Sequence, residues 1–184
     1  GTLRQVVGFD IHRGALASVE RRDRDELATL VTPGALLLAA EGVNDHENLG
    51  ALYRNAAAFG ACGVALDPRC SDPFYRRSVR VSSGNVLAVP TADLDALPQG
   101  LAALHDLGVT TIALTPRAEA RIDEVTVPPD QPVALLVGAE GPGLSAEARR
   151  AASVRASIAM APGVDSLNVA TAAAIGLHRL ATRP

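Results

Sequence analysis

Two loops in the last third of the chain carry the residues whose types and spacing could support chemistry. The first, residues 138–145, reads GAEGPGLS and places Glu140 among three glycines. The second, residues 161–168, ends in the sequence Ser-Leu-Asn. Each follows an apolar run that is typical of a buried strand. Because ligands of open α/β sheets bind beyond the carboxyl ends of strands, we expect the two loops to form one site.

The glycine spacing in the first loop has more than one interpretation. Gly141-x-Gly143-x-x-Ala146 lies between a predicted strand and a predicted helix, as in a dinucleotide-binding fingerprint, and Asp165 has the spacing of a ribose-binding acid. However, that fold needs two further strands, and the sequence leaves only one. The chain has no lysine, which excludes a P-loop. The loop could also be a tight turn in which Ser145 caps a helix.

The elements that must position these loops alternate along the chain. Apolar runs predict strands at 35–40, 62–66, 86–89, 110–114, 133–137 and 157–160. Apolar periodicity predicts helices at 47–59, 74–81 and 93–107, a short helix after Ser145 and a long helix after Asn168. The polar, proline-bounded segment 117–130 is predicted to be a loop. This alternation favours an α/β fold with a largely parallel sheet flanked by helices.

The first of these helices carries a single arginine away from its apolar face. Leu49, Leu52 and Ala56 form a core stripe, and Arg54 lies roughly 200° around the helix from Leu52. Gly50 is one turn before Arg54 on the same face. We expect this glycine to leave room for a ligand to approach the guanidinium.

The length, charge and cysteine content of the chain indicate which class of protein it belongs to. The 184 residues suffice for one sizeable domain, and the net charge is −3. Cys62 and Cys70 lack metal-ligand or disulfide-framework spacing, and the four histidines show no metal spacing either. No apolar run reaches membrane-spanning length. These features predict a cytoplasmic protein with no metal and no membrane partner.

Three segments together resemble the signature motifs of the SpoU (TrmH-like) branch of the SPOUT RNA methyltransferases. They are Asn48-Leu49-Gly50-x-x-x-Arg54, residues 136–144, and Ile158-x-Met160 through residues 166–169. The resemblance covers about residues 35–180. Residues 8–14 resemble the tail of a small RNA-recognition domain. We therefore expect residues 1–30 to be such a tail or a linker, and residues 31–184 to be the catalytic domain.

The resemblance implies an activity, a fold and a set of site residues. It implies S-adenosylmethionine as methyl donor, a ribose 2′-hydroxyl of rRNA or tRNA as acceptor, a C-terminal trefoil knot and a homodimer. By this resemblance, the donor is held by Gly138, Ile158, Met160 and Leu167. The acceptor would be surrounded by Asn48, Arg54, Glu140, Ser166 and Asn168.

Within that resemblance, Arg54 is the main catalytic candidate, although a guanidinium stays protonated in proteins and is a poor base. We expect Arg54 to anchor a phosphate beside the target ribose and to stabilise the developing alkoxide. The proton would pass to a phosphate oxygen, to water or to Glu140. The arginines at 69, 76, 77 and 80 are either a phosphate-facing patch or ordinary solvated surface.

Alternatives to a ribose methyltransferase remain open at the level of sequence. The first is a module with the same fold that binds RNA without turnover. The second is an enzyme that methylates a base instead of a ribose, and the third is the dinucleotide-binding domain.

Overall fold

The protein is described by a computed structural model that covers residues 20–21 and 23–183. Residues 8–14, which the resemblance assigns to a preceding domain, lie outside the described residues. Within the described part, the strands are β1 (Leu36–Glu41), β2 (Gly63–Leu66), β3 (Thr91–Asp93), β4 (Thr110–Leu114), β5 (Ala120–Arg121), β6 (Val133–Gly138) and β7 (Val154–Ser157). They form one parallel sheet in the order β3-β2-β1-β6-β4-β7-β5. The predicted α/β fold with a parallel sheet is confirmed.

Helices cover both faces of this sheet. They are α1 (Leu27–Leu30), α2 (His46–Ala58), α3 (Arg76–Val81), α4 (Gln99–Asp106), α5 (Ala146–Ala151) and α6 (Val169–Ala181). Side chains of β1 alternate between two cores: Leu36 and Leu38 face α2 and α6, whereas Leu37 faces α1, α4 and α5. All six residues of β1 and of β6 are buried, as expected for central strands of a parallel sheet covered on both faces.

The predicted strand at 86–89 is wrong. Residues Asn85–Leu87 form a 3-10 helix, and the strand begins only at Thr91, after Pro90. A local hydrogen bond explains the difference: Asn85 Nδ2 donates to the Ser82 carbonyl oxygen and favours a tight turn over an extended chain. Asp93 belongs to β3, so the helix predicted from residue 93 starts only at Gln99.

Two further differences lie at the far edge of the sheet. The segment 117–130 contains the short strand β5, whose Ala120 pairs with Ala156 of β7. Strand β7 spans Val154–Ser157, so the predicted strand at 157–160 is wrong beyond its first residue. Because β7 ends earlier than predicted, Ile158 and Met160 belong to the following loop and not to the sheet.

The prediction that Gly50 leaves room for a ligand is wrong. Gly50 is buried, and a Cβ atom there would lie 2.7 Å from the Ser78 carbonyl oxygen and 3.0 Å from Val81 Cβ. The missing side chain therefore lets α2 and α3 pack closely. The ligand-binding interpretation failed because the packing partner, α3, cannot be identified from the helix's own sequence.

Arg24 and Asp25, which precede α1, lie beside β3. Asp25 forms a parallel bridge with Ala92, and Arg24 and Arg21 form ion pairs with Asp93 and Asp72.

In the part of the chain that the structure describes, no helix has the length and hydrophobicity needed to cross a bilayer.

Candidate active site

A pocket of about 420 Å³ lies at the carboxyl ends of the strands. It lies where β6, β4 and β7, which are neighbours in the sheet, end. Its lining is formed by Leu114, Thr115, Pro116, Val137, Gly138, Ala139, Glu140, Gly141, Gly143, Ile158, Met160, Ser166, Leu167, Asn168, Val169 and Ala172. The two loops identified in the sequence therefore meet in one pocket.

The glycine loop is a closed turn that only glycine permits at its first position. A Cβ on Gly138 would lie 2.1 Å from both Gly143 C and Leu144 N, because the chain folds back directly over it. Gly143 N–H donates to the Ala139 carbonyl oxygen at 2.9 Å and closes the turn. Gly141 has a φ of 83°, which favours glycine, and a Cβ there would meet nothing within 4 Å. The turn therefore presents backbone, with little side-chain bulk, to the pocket.

A buried carboxylate that sequence reasoning missed supports this loop. Glu41 ends β1 and is only 3% exposed. Its Oε2 accepts a 2.7 Å hydrogen bond from Ser145 N–H, and its Oε1 accepts one from Arg69 at 2.7 Å. Arg69 Nε also donates to Asp67 Oδ2 at 2.9 Å. These hydrogen bonds to Glu41 and Asp67 raise the pKa of the Arg69 guanidinium. The only signal in the sequence was a charged residue at the end of an apolar run.

Asn168 links the two sides of the pocket entrance. As the N-cap of α6, its Oδ1 accepts from the N–H groups of Ala170 and Thr171. Its Nδ2 donates to Asn48 Oδ1 and to Glu140 Oε1, each at 2.9 Å. The two backbone donors fix the orientation of the amide, because only its oxygen can accept from them. All the strong hydrogen-bonding positions of Asn168 are thus used, and its role in this arrangement is to position Asn48 and Glu140.

The predicted site residues fall into three groups. The four predicted donor-binding residues, Gly138, Ile158, Met160 and Leu167, all line the pocket. Of the predicted acceptor residues, Glu140, Ser166 and Asn168 also line it, and Asn48 is joined to it through Asn168. Arg54 is not among the lining residues. Asp165, the acid of the dinucleotide alternative, is not among them either.

Arg54 is exposed, and no hydrogen bond or ion pair joins it to the residues that the structure describes. It lies about 120° around α2 from Asn48. Asn55, which does share the face of Asn48, donates to the Ala170 carbonyl oxygen at 2.7 Å and fixes α2 against α6. The helix therefore directs Asn48 towards the pocket and leaves the guanidinium of Arg54 without a partner among the described residues.

The pocket also includes residues that the sequence did not indicate. Leu114 ends β4, and Thr115 and Pro116 follow it; this strand lies between β6 and β7 in the sheet although it precedes both in the chain. Leu114, Pro116, Ile158 and Met160 add apolar side chains to a lining that also includes the backbone of the glycine loop. Among residues 20–21 and 23–183, no group of three or more His, Cys, Asp or Glu side chains could hold a metal ion.

Comparisons of the sequence and of the structure with known proteins agree on one family. The model of the SpoU rRNA Methylase family matches residues 35–178. A protein of Mycobacterium tuberculosis named as a tRNA/rRNA methyltransferase is 44% identical over 176 residues, which are 95% of this chain and 61% of that protein. The AdoMet-bound rRNA methyltransferase from Sinorhizobium meliloti has a TM-score of 0.79 and 32% identity, over 86% of this chain and 60% of the other.

A second solved structure, that of an RNA 2′-O ribose methyltransferase, has a TM-score of 0.73 and 32% identity, over 89% of this chain and 59% of the other. The chain thus spans about three fifths of the length of these relatives. The family match covers most of the chain and includes all three motifs that indicated the resemblance. This protein therefore belongs to the SpoU rRNA methylase family.

Proposed function

We propose that the chain is the catalytic domain of an S-adenosylmethionine-dependent enzyme that methylates a ribose 2′-hydroxyl in rRNA or tRNA. One observation carries this proposal. The two loops that contain the second and third family motifs meet in one pocket, and Asn168 joins that pocket to Asn48 of the first motif. The names of the relatives, the AdoMet-bound neighbour and the neighbour that is a 2′-O ribose methyltransferase support the donor and the acceptor.

The chemistry of the pocket fits the proposed donor. Its volume of about 420 Å³ lies within the range of small-molecule sites. The apolar side chains of Leu114, Ile158 and Met160 would clasp the adenine, and the backbone groups of Gly138 and Leu167 would read its polar edge. The open space beside Gly141 leaves room for the rest of the molecule.

The acceptor side has groups available for each step that the transfer needs. The donor supplies an electrophilic methyl group on a sulfonium, so the protein must align the ribose oxygen and help remove its proton. Asn168 occupies one oxygen of Glu140, and Oε2 of Glu140 makes no hydrogen bond with the described residues. We assign to this oxygen the role of proton acceptor. Asn48 Nδ2 would hydrogen-bond the ribose, and Ser166, exposed at the entrance, would contact it as well.

Arg54 completes this assignment as a phosphate ligand. Its guanidinium is exposed and unpaired within the described residues, so binding a phosphate breaks no existing ion pair. A charge-assisted bond to the phosphate beside the target nucleotide would fix the ribose and offset the negative charge that develops on its oxygen.

The same proposal includes a C-terminal trefoil knot. Its support is the strand order: β4 lies between β6 and β7, and the chain after β7 crosses back so that α6 packs against α2, β1 and β6. We propose that residues 31–184 form this domain and that residues 1–30 are the tail of an RNA-recognition domain or a linker. A reducing cytoplasm is the proposed location, in agreement with two free cysteines.

We also propose a homodimer. Val164, Leu167 and Ile175, which are 48%, 38% and 39% exposed, place apolar surface on the second loop and on α6. A second copy that covered this surface would close the pocket entrance. Sedimentation velocity of the wild-type chain and of a Val164→Asp/Ile175→Asp variant tests this proposal, and a monomeric wild type would contradict it.

Product analysis tests the central proposal. The chain is incubated with S-adenosylmethionine that carries a labelled methyl group and with RNA from cells in which the gene is deleted, and the RNA is then digested to nucleosides. We expect label in 2′-O-methylated nucleosides. Label in base-methylated nucleosides would contradict the ribose assignment. Absence of both label and heat of donor binding in calorimetry would favour a binding module without turnover.

A further inference from the structure

A surface near Asn48 combines an exposed aromatic ring with two arginines that form no ion pair with a described residue. Tyr75 precedes α3 and is 45% exposed, and its ring lies 4.3 Å from the ring of His46 with a tilt of 44°. Arg76 follows it, and Arg80 lies one turn further along the same side of α3. We call these four residues the Tyr75 surface.

The arginines of α3 divide into two kinds that the sequence could not distinguish. Arg77 Nε donates to Glu47 Oε1 at 2.9 Å, so this charge is already neutralised. Arg69 is likewise held by Glu41 and Asp67. Arg76 and Arg80 are exposed and form no ion pair with any described residue. Of the patch predicted from the sequence, only Arg76 and Arg80 therefore keep positive charge that is free to meet an anion.

Two of the nearby carboxylates are already paired with other arginines. Glu47 is paired with Arg77, and Asp72 is paired with Arg21. Asp45 accepts hydrogen bonds from the N–H groups of Glu47 and Asn48 at the start of α2. Arg76 and Arg80 therefore form a local positive patch, even though the chain as a whole carries a net charge of −3.

The surface adjoins the acceptor side of the pocket. His46 is the first residue of α2, and two residues later Asn48 accepts the hydrogen bond from Asn168. Ser78 Oγ donates to the His46 carbonyl oxygen at 3.0 Å and ties α3 to this point. A polynucleotide whose ribose reached Asn48 would therefore have its neighbouring nucleotides beside Tyr75.

We infer that the Tyr75 surface binds a single-stranded RNA segment next to the target nucleotide. One base stacks on the exposed ring of Tyr75, and Arg76 and Arg80 bind the phosphates on either side. This inference rests on the proposed function. Exposed aromatic rings flanked by cations are the chemistry of single-strand recognition, because in a duplex the faces of each base are covered by its stacked neighbours.

Fluorescence anisotropy with a labelled 12-nucleotide RNA of mixed sequence and no secondary structure tests the inference. With the 184-residue chain, we expect Tyr75→Leu to weaken binding about tenfold and Tyr75→Phe to bind as wild type. Arg76→Ala and Arg80→Ala should each lower the slope of log affinity against log salt by about 0.7. The control, Glu47→Gln with Arg77→Gln, removes a neutral ion pair between α2 and α3 and should leave the slope unchanged.

Several results would overturn the inference. One is unchanged affinity and slope in the Tyr75, Arg76 and Arg80 variants. A second is a decrease in slope in the Glu47→Gln/Arg77→Gln control as large as that in the arginine variants. A third is binding of a 12-base-pair duplex that is as tight as binding of the single strand and equally dependent on Tyr75. A Tyr75→Leu variant that changes sedimentation but not RNA affinity would assign the surface to a second copy instead. Calorimetric titration with S-adenosylmethionine and a methylation assay separate this inference from the proposed function. If the wild type binds the donor and methylates RNA, but the Tyr75, Arg76 and Arg80 variants bind RNA as tightly as the wild type, only the role of the Tyr75 surface is contradicted.

Discussion

The N–H of Ser145 donates a 2.7 Å hydrogen bond to Oε2 of Glu41, and this bond ties the end of the glycine loop to the end of β1. Glu41 and Gly138 are also register partners in the sheet. The turn that forms one wall of the pocket is thus fixed to β1 at both ends. Because the other oxygen of Glu41 is held by Arg69, the buried carboxylate cannot rotate away without breaking its ion pair with this partly exposed arginine.

Replacing Glu41 should therefore loosen the pocket. We expect Glu41→Ala to destabilise the protein by about 2 kcal/mol, because it leaves the Ser145 N–H and Arg69 without their shared partner. Donor affinity should fall about tenfold, whereas Glu41→Gln, which keeps an acceptor for Ser145, should retain most of it. Urea denaturation and calorimetry measure the two effects. Glu119→Ala, which removes an exposed partner of Arg155, is the control; a Glu41→Ala variant with wild-type donor affinity would refute this role.

Arg54→Ala should abolish methyl transfer, with a loss of at least about 100-fold, while donor affinity and stability stay near wild type. Donor affinity and stability should be retained because the guanidinium is exposed and makes no bond to the described residues, and because Arg54 does not line the pocket. Methyl incorporation into RNA and donor calorimetry separate the two effects. Arg150→Ala, which removes an exposed arginine on α5, is a matched control. Wild-type turnover of Arg54→Ala would contradict the assignment.

Two substitutions of Asn168 should affect the stability of the protein and its activity differently. Asn168→Asp keeps a side-chain oxygen for the N–H groups of Ala170 and Thr171, so the cap of α6 should survive. The carboxylate cannot donate to Asn48 or Glu140, and it would repel Glu140. We expect a melting temperature close to wild type with activity reduced at least tenfold. In contrast, Asn168→Ala should also cost about 1 kcal/mol of stability. Equal activity of Asn168→Asp and wild type would rule out the positioning role.

Gly50→Ala should destabilise the protein by about 1–2 kcal/mol. Alanine is the better helix former by about 1 kcal/mol, but the added Cβ would lie 2.7 Å from the Ser78 carbonyl oxygen, and overpacking of this kind costs more. Thermal and urea denaturation measure the change. A rise in stability, which helix propensity alone predicts, would show that α3 moves aside at little cost.

The free energy of unfolding should fall as the pH rises above about 9. Burial raises the pKa of Cys70 from 9.0 to about 12, and burial also raises the pKa values of Cys62 and Tyr53. Above pH 9 the unfolded chain loses these protons before the folded chain does, so deprotonation favours unfolding by up to about 1.4 kcal/mol per pH unit for each group. Urea denaturation between pH 7 and 11 tests this prediction. A Cys62→Ala/Cys70→Ala variant should show a shallower decline, and a flat profile in the wild type would contradict the prediction.

The sequence predicted those features that depend on neighbours along the chain. The apolar runs of β1 and β6 indicated central strands, and the N-caps Ser145 and Asn168 follow from residue type. It could not predict features that depend on sheet order. Thr115 and Pro116 reach the pocket only because β4 lies between β6 and β7. The pairing that distinguishes Arg77 from Arg76 depends on the packing of α3 against α2.

The spread of the lining residues along the chain also determines when the pocket can form. Its lining extends from Leu114 to Ala172, and its walls come from strands that are completed at widely different times during translation. A nascent chain therefore has no complete pocket until the ribosome has released the start of α6. Any methyl donor that binds can do so only after synthesis of the domain is nearly complete.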